Sequence, residues 1–366
     1  MSILLIGDTQ IANHKAMGGP VVEGLNRRCR EILDGLDSLV RDAVRDHGVD
    51  TVIQVGDFFD IAKPSAALYD AVIRLLKRHP VKWHILAGNH DIASYDAPTA
   101  LAPLGHIENV TVYEKPTLVE IDGKTFMMVP YTGPSCEQAI AAGKAILDEP
   151  GRLDGLSDAT KESLLYWCVH YGYGLNPHGR PDMFTEGYTP YQGIAQRWFF
   201  GHEHGSAAFN YSKGSLYRSL GSFCDFDFGE GSSVPHHAFL LADNNKSRQL
   251  DPRGPVFKKM EESLSAQALA DRVLAEHDYW HEFNALYIRV NYKLAETAEK
   301  LKRAGLVTDY VILPEAVAVS QSNIESAEQQ SCWESIAAEF SETDIPEELA
   351  EKVYALCDKV INEEKV

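Results

Sequence analysis

The chain has 366 residues and a formal net charge of −19, enough length for one large and one smaller domain and too acidic for a surface that coats nucleic acid indiscriminately. No stretch is apolar for long enough to span a membrane, and the run Ile3 to Ile6 is too short for a signal h-region. Six scattered cysteines (Cys29, Cys136, Cys168, Cys224, Cys332 and Cys357) show no paired spacing, so reduced thiols in a cytoplasmic protein are expected, not a disulfide framework or a zinc ribbon.

In chain order, Ser2 to Ile6 reads as a strand ending at Gly7-Asp8. A polar loop follows, then an amphipathic helix from about Glu23 to His47 with Leu25, Ile32, Leu36, Leu39, Val40 and Val44 on its apolar face. Thr51 to Val55 is a second strand, and Pro64 opens a helix through Leu76. Val81 to Ala87 is a third strand, so the opening third is βαβαβ, with parallel strands joined by crossover helices. Val110 to Tyr113, Leu118 to Ile121 and Lys124 to Val129 are short strands, the last two joined by the hairpin turn Asp122-Gly123. After a helix from Ser135 to Leu147 come strands at Leu164 to Val169, Arg197 to Phe200, Ala207 to Tyr211, Ser215 to Ser219 and His237 to Leu241. A parallel half followed by an antiparallel half implies an α/β fold of two packed mixed sheets flanked by helices.

Pro252-Arg253-Gly254-Pro255 marks a boundary. Beyond it, helices at Leu264 to Glu276 and Leu294 to Ala304 and strands at Ala285 to Tyr292 and Tyr310 to Leu313 make a small α+β module. The tail from about Ser320 is acidic and helical, and the final helix from Pro346 carries Leu349, Val353, Leu356, Val360 and Ile361 at helical spacing. Residues 267–366 hold 9 Lys/Arg against 20 Asp/Glu, so most of the net acidity lies away from the motifs described next.

Five strands end in Gly7-Asp8-Thr9-Gln10, Gly56-Asp57-Phe58-Phe59-Asp60, Gly88-Asn89-His90-Asp91, His170-Tyr171-Gly172 and Gly201-His202-Glu203-His204. A lone histidine at a strand end is more often structural than a ligand. Five motifs together reverse that, because strand ends are where α/β sheets gather their ligands. The set suits two divalent ions that clamp a phosphate and activate water, which needs one carboxylate with an oxygen for each ion. Asp57 is the natural shared ligand. Asp8 and His204, with Gln10, are expected to complete one ion, and Asn89, His170 and His202 the other. Mixed oxygen and imidazole donors without thiolate favour Mn²⁺, Fe or Zn²⁺ over Ca²⁺, with Mn²⁺ the preferred assignment. His90, next to Asn89, is left to face the substrate and either protonate the departing oxygen or stabilise charge on the phosphoryl group.

This constellation resembles the calcineurin-like metallophosphoesterase superfamily, whose pattern is D-x-H, G-D-x-x-D, G-N-H-[DE], H and G-H-x-H, over roughly the first 250 residues. Chain length, module and tail look most like the SbcD-type nucleases of double-strand-break repair. The resemblance implies a metal-dependent DNA exo/endonuclease built from a phosphoesterase domain (1–254), a capping domain (255–319) and a C-terminal helical segment (320–366). It further implies a homodimer whose last segment docks on an SMC-like (SbcC-type) ATPase, in repair or recombination. Two positions depart from the pattern. Gln10 stands where the family has a metal-binding His, so the ion held by Asp8 is expected to bind more weakly, with His14 as an alternative donor. Asp60 stands where SbcD-type enzymes have His, as in the wider superfamily.

Two other readings stay open: a stand-alone phosphatase or cyclic-nucleotide phosphodiesterase, and a metal-poor scaffold that only binds a partner. In the loop Tyr171 to Tyr191, His178 and Arg180 are candidate substrate contacts, as is Asp60, although a mere connection explains the loop equally well. Arg27, Arg28 and Arg30 are expected on a solvated helix face, and His47, His79, His84, Trp83, Trp167 and Trp198 are expected to be structural.

Overall fold

The computed structural model describes residues 2–95, 97–149, 165–173, 183–184, 197–205, 210–212, 215–228, 238–242, 247–250, 254–260, 263–280 and 285–313. His178, Arg180 and the expected helical segment 320–366 lie outside them. Residues Met1–Leu313 form one compact unit.

In order, the strands are β1 (Ser2–Ile6), β2 (Val21–Val22), β3 (Leu25–Asn26), β4 (Val49–Gln54), β5 (Lys82–Leu86), β6 (Val110–Tyr113), β7 (Thr117–Ile121), β8 (Lys124–Val129), β9 (Leu165–Val169) and β10 (Gly172–Tyr173). They continue with β11 (Met183–Phe184), β12 (Arg197–Phe200), β13 (Asn210–Ser212), β14 (Ser215–Ser219), β15 (Ala238–Leu241), β16 (Ser247–Leu250), β17 (Val256–Lys259), β18 (Leu286–Asn291) and β19 (Asp309–Leu313). The helices are α1 (Arg27–His47), α2 (Ala66–Arg78), α3 (Cys136–Leu147), α4 (Ala266–Trp280) and α5 (Ala295–Arg303).

Two six-stranded sheets make the body. The first runs β16-β15-β1-β4-β5-β6 and the second β13-β14-β12-β9-β8-β7. In the first, β1, β4, β5 and β6 are mutually parallel, with β15 and β16 added antiparallel at one edge. The second departs from the antiparallel arrangement expected for it. Its centre, β8, β9, β12 and β14, is parallel, and only the edges β7 and β13 run the other way. The parallel centre explains why β9 and β12 read as unbroken apolar runs, since such strands are covered on both faces.

Strand alternation sorts the core into layers. Leu4 and Ile6 face α1 and α2, together with Ile32, Leu36, Val72 and Leu76. Their neighbours Ile3 and Leu5 turn inward and meet Phe126, Met128, Tyr166, Cys168 and Phe199 of the second sheet. The other face of that sheet carries Met127, Trp167, Trp198 and Phe200 against Ile140 of α3. The order is therefore helix, sheet, sheet, helix, and Trp83, Trp167 and Trp198 are wholly buried core.

Helix α1 begins at Arg27, not near Glu23, because residues 21–26 form the β2–β3 hairpin. Asn26 then caps the helix, its side chain accepting from the Cys29 amide (2.9 Å). Behind this cap Arg28 is buried, contrary to the solvated face expected for it. It donates to the carbonyls of Ala16 (2.9 Å) and Phe226 and lies over the Phe257 ring. Arg27 pairs with Asp309 (2.9 Å). Both arginines thus hold the third sheet, β17-β18-β19, against α1. That sheet is parallel, and with α4 and α5 it encloses its own apolar cluster around Leu269, Val273, Ile288 and Leu301.

Candidate metal centre

All five motifs follow strand ends on one rim of the two sheets. The loops after β1 and β4 are stitched together there. The amides of Thr9 and Gln10 donate to the Asp57 carbonyl (3.1 and 2.9 Å), and the Gln54 side chain donates to the carbonyls of Gly7 and Gly56 (3.2 and 2.6 Å). Gly56 has φ +86°, and a Cβ there would land on the His170 ring. At Gly88 a Cβ would strike Asp57 itself. Three residues of the rim, Gln10 (φ 40°), Asp57 (φ 50°) and His202 (φ 74°), hold left-handed backbone that side-chain-bearing residues seldom adopt. Such strain persists only where the surroundings enforce it, and it clusters at functional sites.

The side chains converge in two sets. Asp57, His170 and His202 each offer one donor atom, all within 4.8 Å of one another. His170 Nε2 lies 3.3 Å from Asp57 Oδ1 and 3.2 Å from Asn89 Oδ1, and His202 Nδ1 lies 2.8 Å from the same Asn89 oxygen. On the opposite edge of its ring, His170 Nδ1–H donates to the Val55 carbonyl (2.7 Å), which turns the Nε2 edge toward the cleft. In the second set, His204 Nε2 is 4.0 Å from Asp8 Oδ2. His202 and His204 lie beside an open cavity of about 470 Å³ that Glu203 and Gly205 also line.

Asp8 carries the test of whether this donor set fits a cation. It is wholly buried, and its Oδ1 accepts from the His202 amide (3.0 Å). Among the described residues its Oδ2 is buried without a hydrogen-bond partner. An unpartnered buried carboxylate oxygen is costly, and burial, with Asp57 adding, pushes Asp8 up to about 7. Burial works the same way on Asp57, but His170 and His90 outweigh it and hold Asp57 down at about 2. His170 is raised to about 9: burial opposes its charge, and the carboxylates of Asp57 and Asp8 overcome that. Carboxylate, amide and imidazole donors around an unpartnered oxygen are what a divalent ion requires.

Gln10 meets this set through His204, and His14 meets it through Gln10. The Gln10 side-chain nitrogen is 2.9 Å from His204 Nε2. His14 is turned to other partners, with Nε2–H donating to the Gln10 carbonyl (2.9 Å) and Nδ1 3.5 Å from Asp60 Oδ2.

At the mouth, the His90 amide donates to Asp57 Oδ1 (2.9 Å), and its ring is 40% exposed with Nε2 4.0 Å from Asp57 Oδ2. Asp60 holds the other ring nitrogen: Nδ1 is 3.1 Å from Oδ1. That hydrogen bond, against some loss from burial, raises His90 to about 9. Asp60 therefore meets His90 at the mouth of the cleft. Tyr171, at the start of the long loop, is buried and donates to the Gly133 carbonyl (2.9 Å), so it is core.

Sequence reasoning passed over Asp91. Its buried carboxylate accepts from the amides of Phe58 (3.2 Å), Phe59 (2.9 Å) and Gly88 (2.9 Å), tying the Asp57 loop to the Asn89 loop. The acidic residue closing Gly88-Asn89-His90-Asp91 was the available signal.

Residues 1–206 match the family model described as calcineurin-like phosphoesterase. The chain belongs to this family. Calcineurin-like phosphoesterases use a dinuclear divalent metal centre. Two curated relatives are nuclease components. Exonuclease subunit 1 of Enterobacteria phage T4 is 30% identical over 115 residues, 29% of this chain and 32% of that protein. The SbcD component of the nuclease SbcCD from Bacillus subtilis (strain 168) is 29% identical over 154 residues, 40% of this chain and 36% of that protein. The chain thus matches about a third of the length of each. Among solved structures, a dimetal phosphatase from Danio rerio aligns over 66% of this chain and 93% of its own at 16% identity, with a TM-score of 0.41. Among the described residues of this phosphoesterase, no helix is long and apolar enough to cross a membrane.

Proposed function

We propose that this phosphoesterase is a metal-dependent DNA nuclease of SbcD type, acting in the cytoplasm on phosphodiester bonds in DNA repair or recombination. The observation that carries the reading is the Oδ2 of Asp8, buried without a hydrogen-bond partner among the described residues, beside the Asp57, His170 and His202 cluster. The partial similarity to two nuclease components supports the substrate class. Asp57 would be the ligand shared between two divalent ions, which we assign as Mn²⁺. Asp8, His204 and Gln10 would hold one ion, and Asn89, His170 and His202 the other.

When bound, the ions supply Lewis acidity toward the phosphoryl oxygens and lower the pKa of water in the cleft. The chain's own residues orient and move protons. His170, fixed by Val55, keeps its Nε2 directed into the site. Asp91 fixes the relative position of the Asp57 and Asn89 loops. His90, held by Asp60 at Nδ1, presents Nε2 to the departing oxygen. Water's oxygen forms the new P–O bond and the ester P–O bond breaks. His90 gives its proton to the leaving oxygen, and the water proton passes to solvent. The module of 255–319 caps the site, and residues 320–366 dock a homodimer on an SMC-like ATPase.

Incubation with Mn²⁺ and linear DNA, p-nitrophenyl phosphate or bis-p-nitrophenyl phosphate tests the reading. DNA degradation that falls at least about 100-fold in His90→Ala supports it. Turnover of the monoester alone would instead indicate a phosphatase.

A further inference from the structure

The cleft holds one more imidazole, that of His14, which lies behind Asp60. Its side chain is only 11% exposed. The ring stands between two acceptors, the Gln10 carbonyl at 2.9 Å and Asp60 Oδ2 at 3.5 Å. The other Asp60 oxygen, Oδ1, is the one that meets His90. A single carboxylate is therefore flanked by two histidines, one packed behind it and one at the mouth of the site.

Everything around His14 keeps it in place. Its carbonyl accepts from the Asn26 side chain (2.7 Å), the residue that caps α1. Its ring lies 5.7 Å from that of Phe226, which in turn packs 5.5 Å from His204. Asp60, by contrast, has a 28% exposed side chain, so water competes for its oxygens. The buried His14 ring, 3.5 Å behind it, limits the orientations its carboxylate can take.

We propose that His14 is a positioning residue. It holds the Asp60 carboxylate in the orientation that, together with the Asp60 carbonyl 3.3 Å from the same nitrogen, engages His90 Nδ1 and leaves Nε2 turned toward the phosphoester. This deepens the assignment of His90 as proton donor to the leaving group and rests on it. Orientation matters here because a misplacement of about 1 Å far from the chemistry can cost roughly 100-fold in rate.

The test uses the full-length protein with Mn²⁺ and two phosphodiesters. The alkoxide departing from DNA needs a proton, whereas the nitrophenolate departing from bis-p-nitrophenyl phosphate needs little help. His14→Ala is expected to lower kcat on DNA about tenfold with KM within about twofold, and to slow the nitrophenyl ester less than about threefold. In a His90→Ala background the same change is expected to add nothing. His14→Gln, which keeps a donor, should recover part of kcat. His14→Phe keeps the packing against Phe226 without either donor, and repeats the comparison should the alanine variant not fold.

Equal losses on both esters, or losses that multiply with those of His90→Ala, overturn the proposal. A crystal structure of H14A gives a readout independent of turnover. If Asp60 still sits on His90 Nδ1 there, His14 positions nothing and the proposal falls. If the parent cleaves neither ester while Asp60 swings away in H14A, the positioning stands and the nuclease reading is what fails.

Discussion

Where β1, β4 and β5 of the first sheet run out into Asp8, Asp57 and Asn89, the corresponding ends of β9 and β12 in the second run out into His170 and His202. One sheet supplies oxygen donors and the other supplies imidazoles. Neither holds a complete ligand set. The two candidate donor sets are brought together by the packing of Ile3, Leu5, Ile53, Phe126, Met128 and Phe199 between the sheets, and an ion bound as proposed would tie the two together. A ligand that binds only the folded state stabilises it by mass action, so chemistry and sheet packing are linked in this molecule.

That division can be tested from both sides. The largest effect is expected at the shared carboxylate. Asp57→Asn should slow phosphodiester hydrolysis roughly 1000-fold, since several kcal/mol of charge stabilisation depend on the ions it holds. Metal content after dialysis should fall with it, and a variant that keeps both ions and full rate would end the two-ion account. Phe199→Ala attacks the interface between the sheets instead. It should cost about 3–5 kcal/mol in denaturant unfolding, and saturating Mn²⁺ at about 100 times Kd should return about 2.7 kcal/mol.

Within the strands, His84 of β5 bonds the Tyr113 hydroxyl (2.7 Å), and Thr51 of β4 reaches Asp122 in the β7–β8 turn (2.8 Å). Burial lowers His84 to about 4 from an ordinary 6.5. Between those values the unfolded chain takes up a proton that the folded chain refuses. The contribution of His84 to stability should therefore fall as pH drops from 6.5 to about 4, by up to the order of 3 kcal/mol, and level off below, opposite in sign to the contribution of the raised Asp8. His84→Gln should flatten that limb of the unfolding curve. The smallest effect is expected from Gln10→His, which exchanges an amide donor for an imidazole. The weaker of two Mn²⁺ affinities should tighten about tenfold, and two equally tight sites in the unaltered protein would contradict the premise.

Much of this was legible in the sequence because each ligand follows a short apolar strand, and strand ends on a parallel sheet share one rim. The order Asp8, Asp57, Asn89, His170, His202 could be read without coordinates. What could not be read depends on contacts distant in sequence. Arg28 looks like one of three surface charges, and only the carbonyls of Ala16 and Phe226 make it a buried tie. Asp91 looks like the end of a motif until three amides from two loops are seen to converge on it. The hairpin before α1 was hidden because Leu25 fits the apolar period of the helix that follows. Strand direction in the second sheet was misjudged because short strands in close succession suggest hairpins, whereas β9, β12 and β14 run parallel.

The left-handed backbone at Gln10, Asp57 and His202 has a consequence for how the cleft comes into being. None of these residues chooses that conformation by itself, so a short peptide bearing any one motif would not curl up around a cation as a zinc finger does. The scaffold has to form first, and only then are the donors aimed.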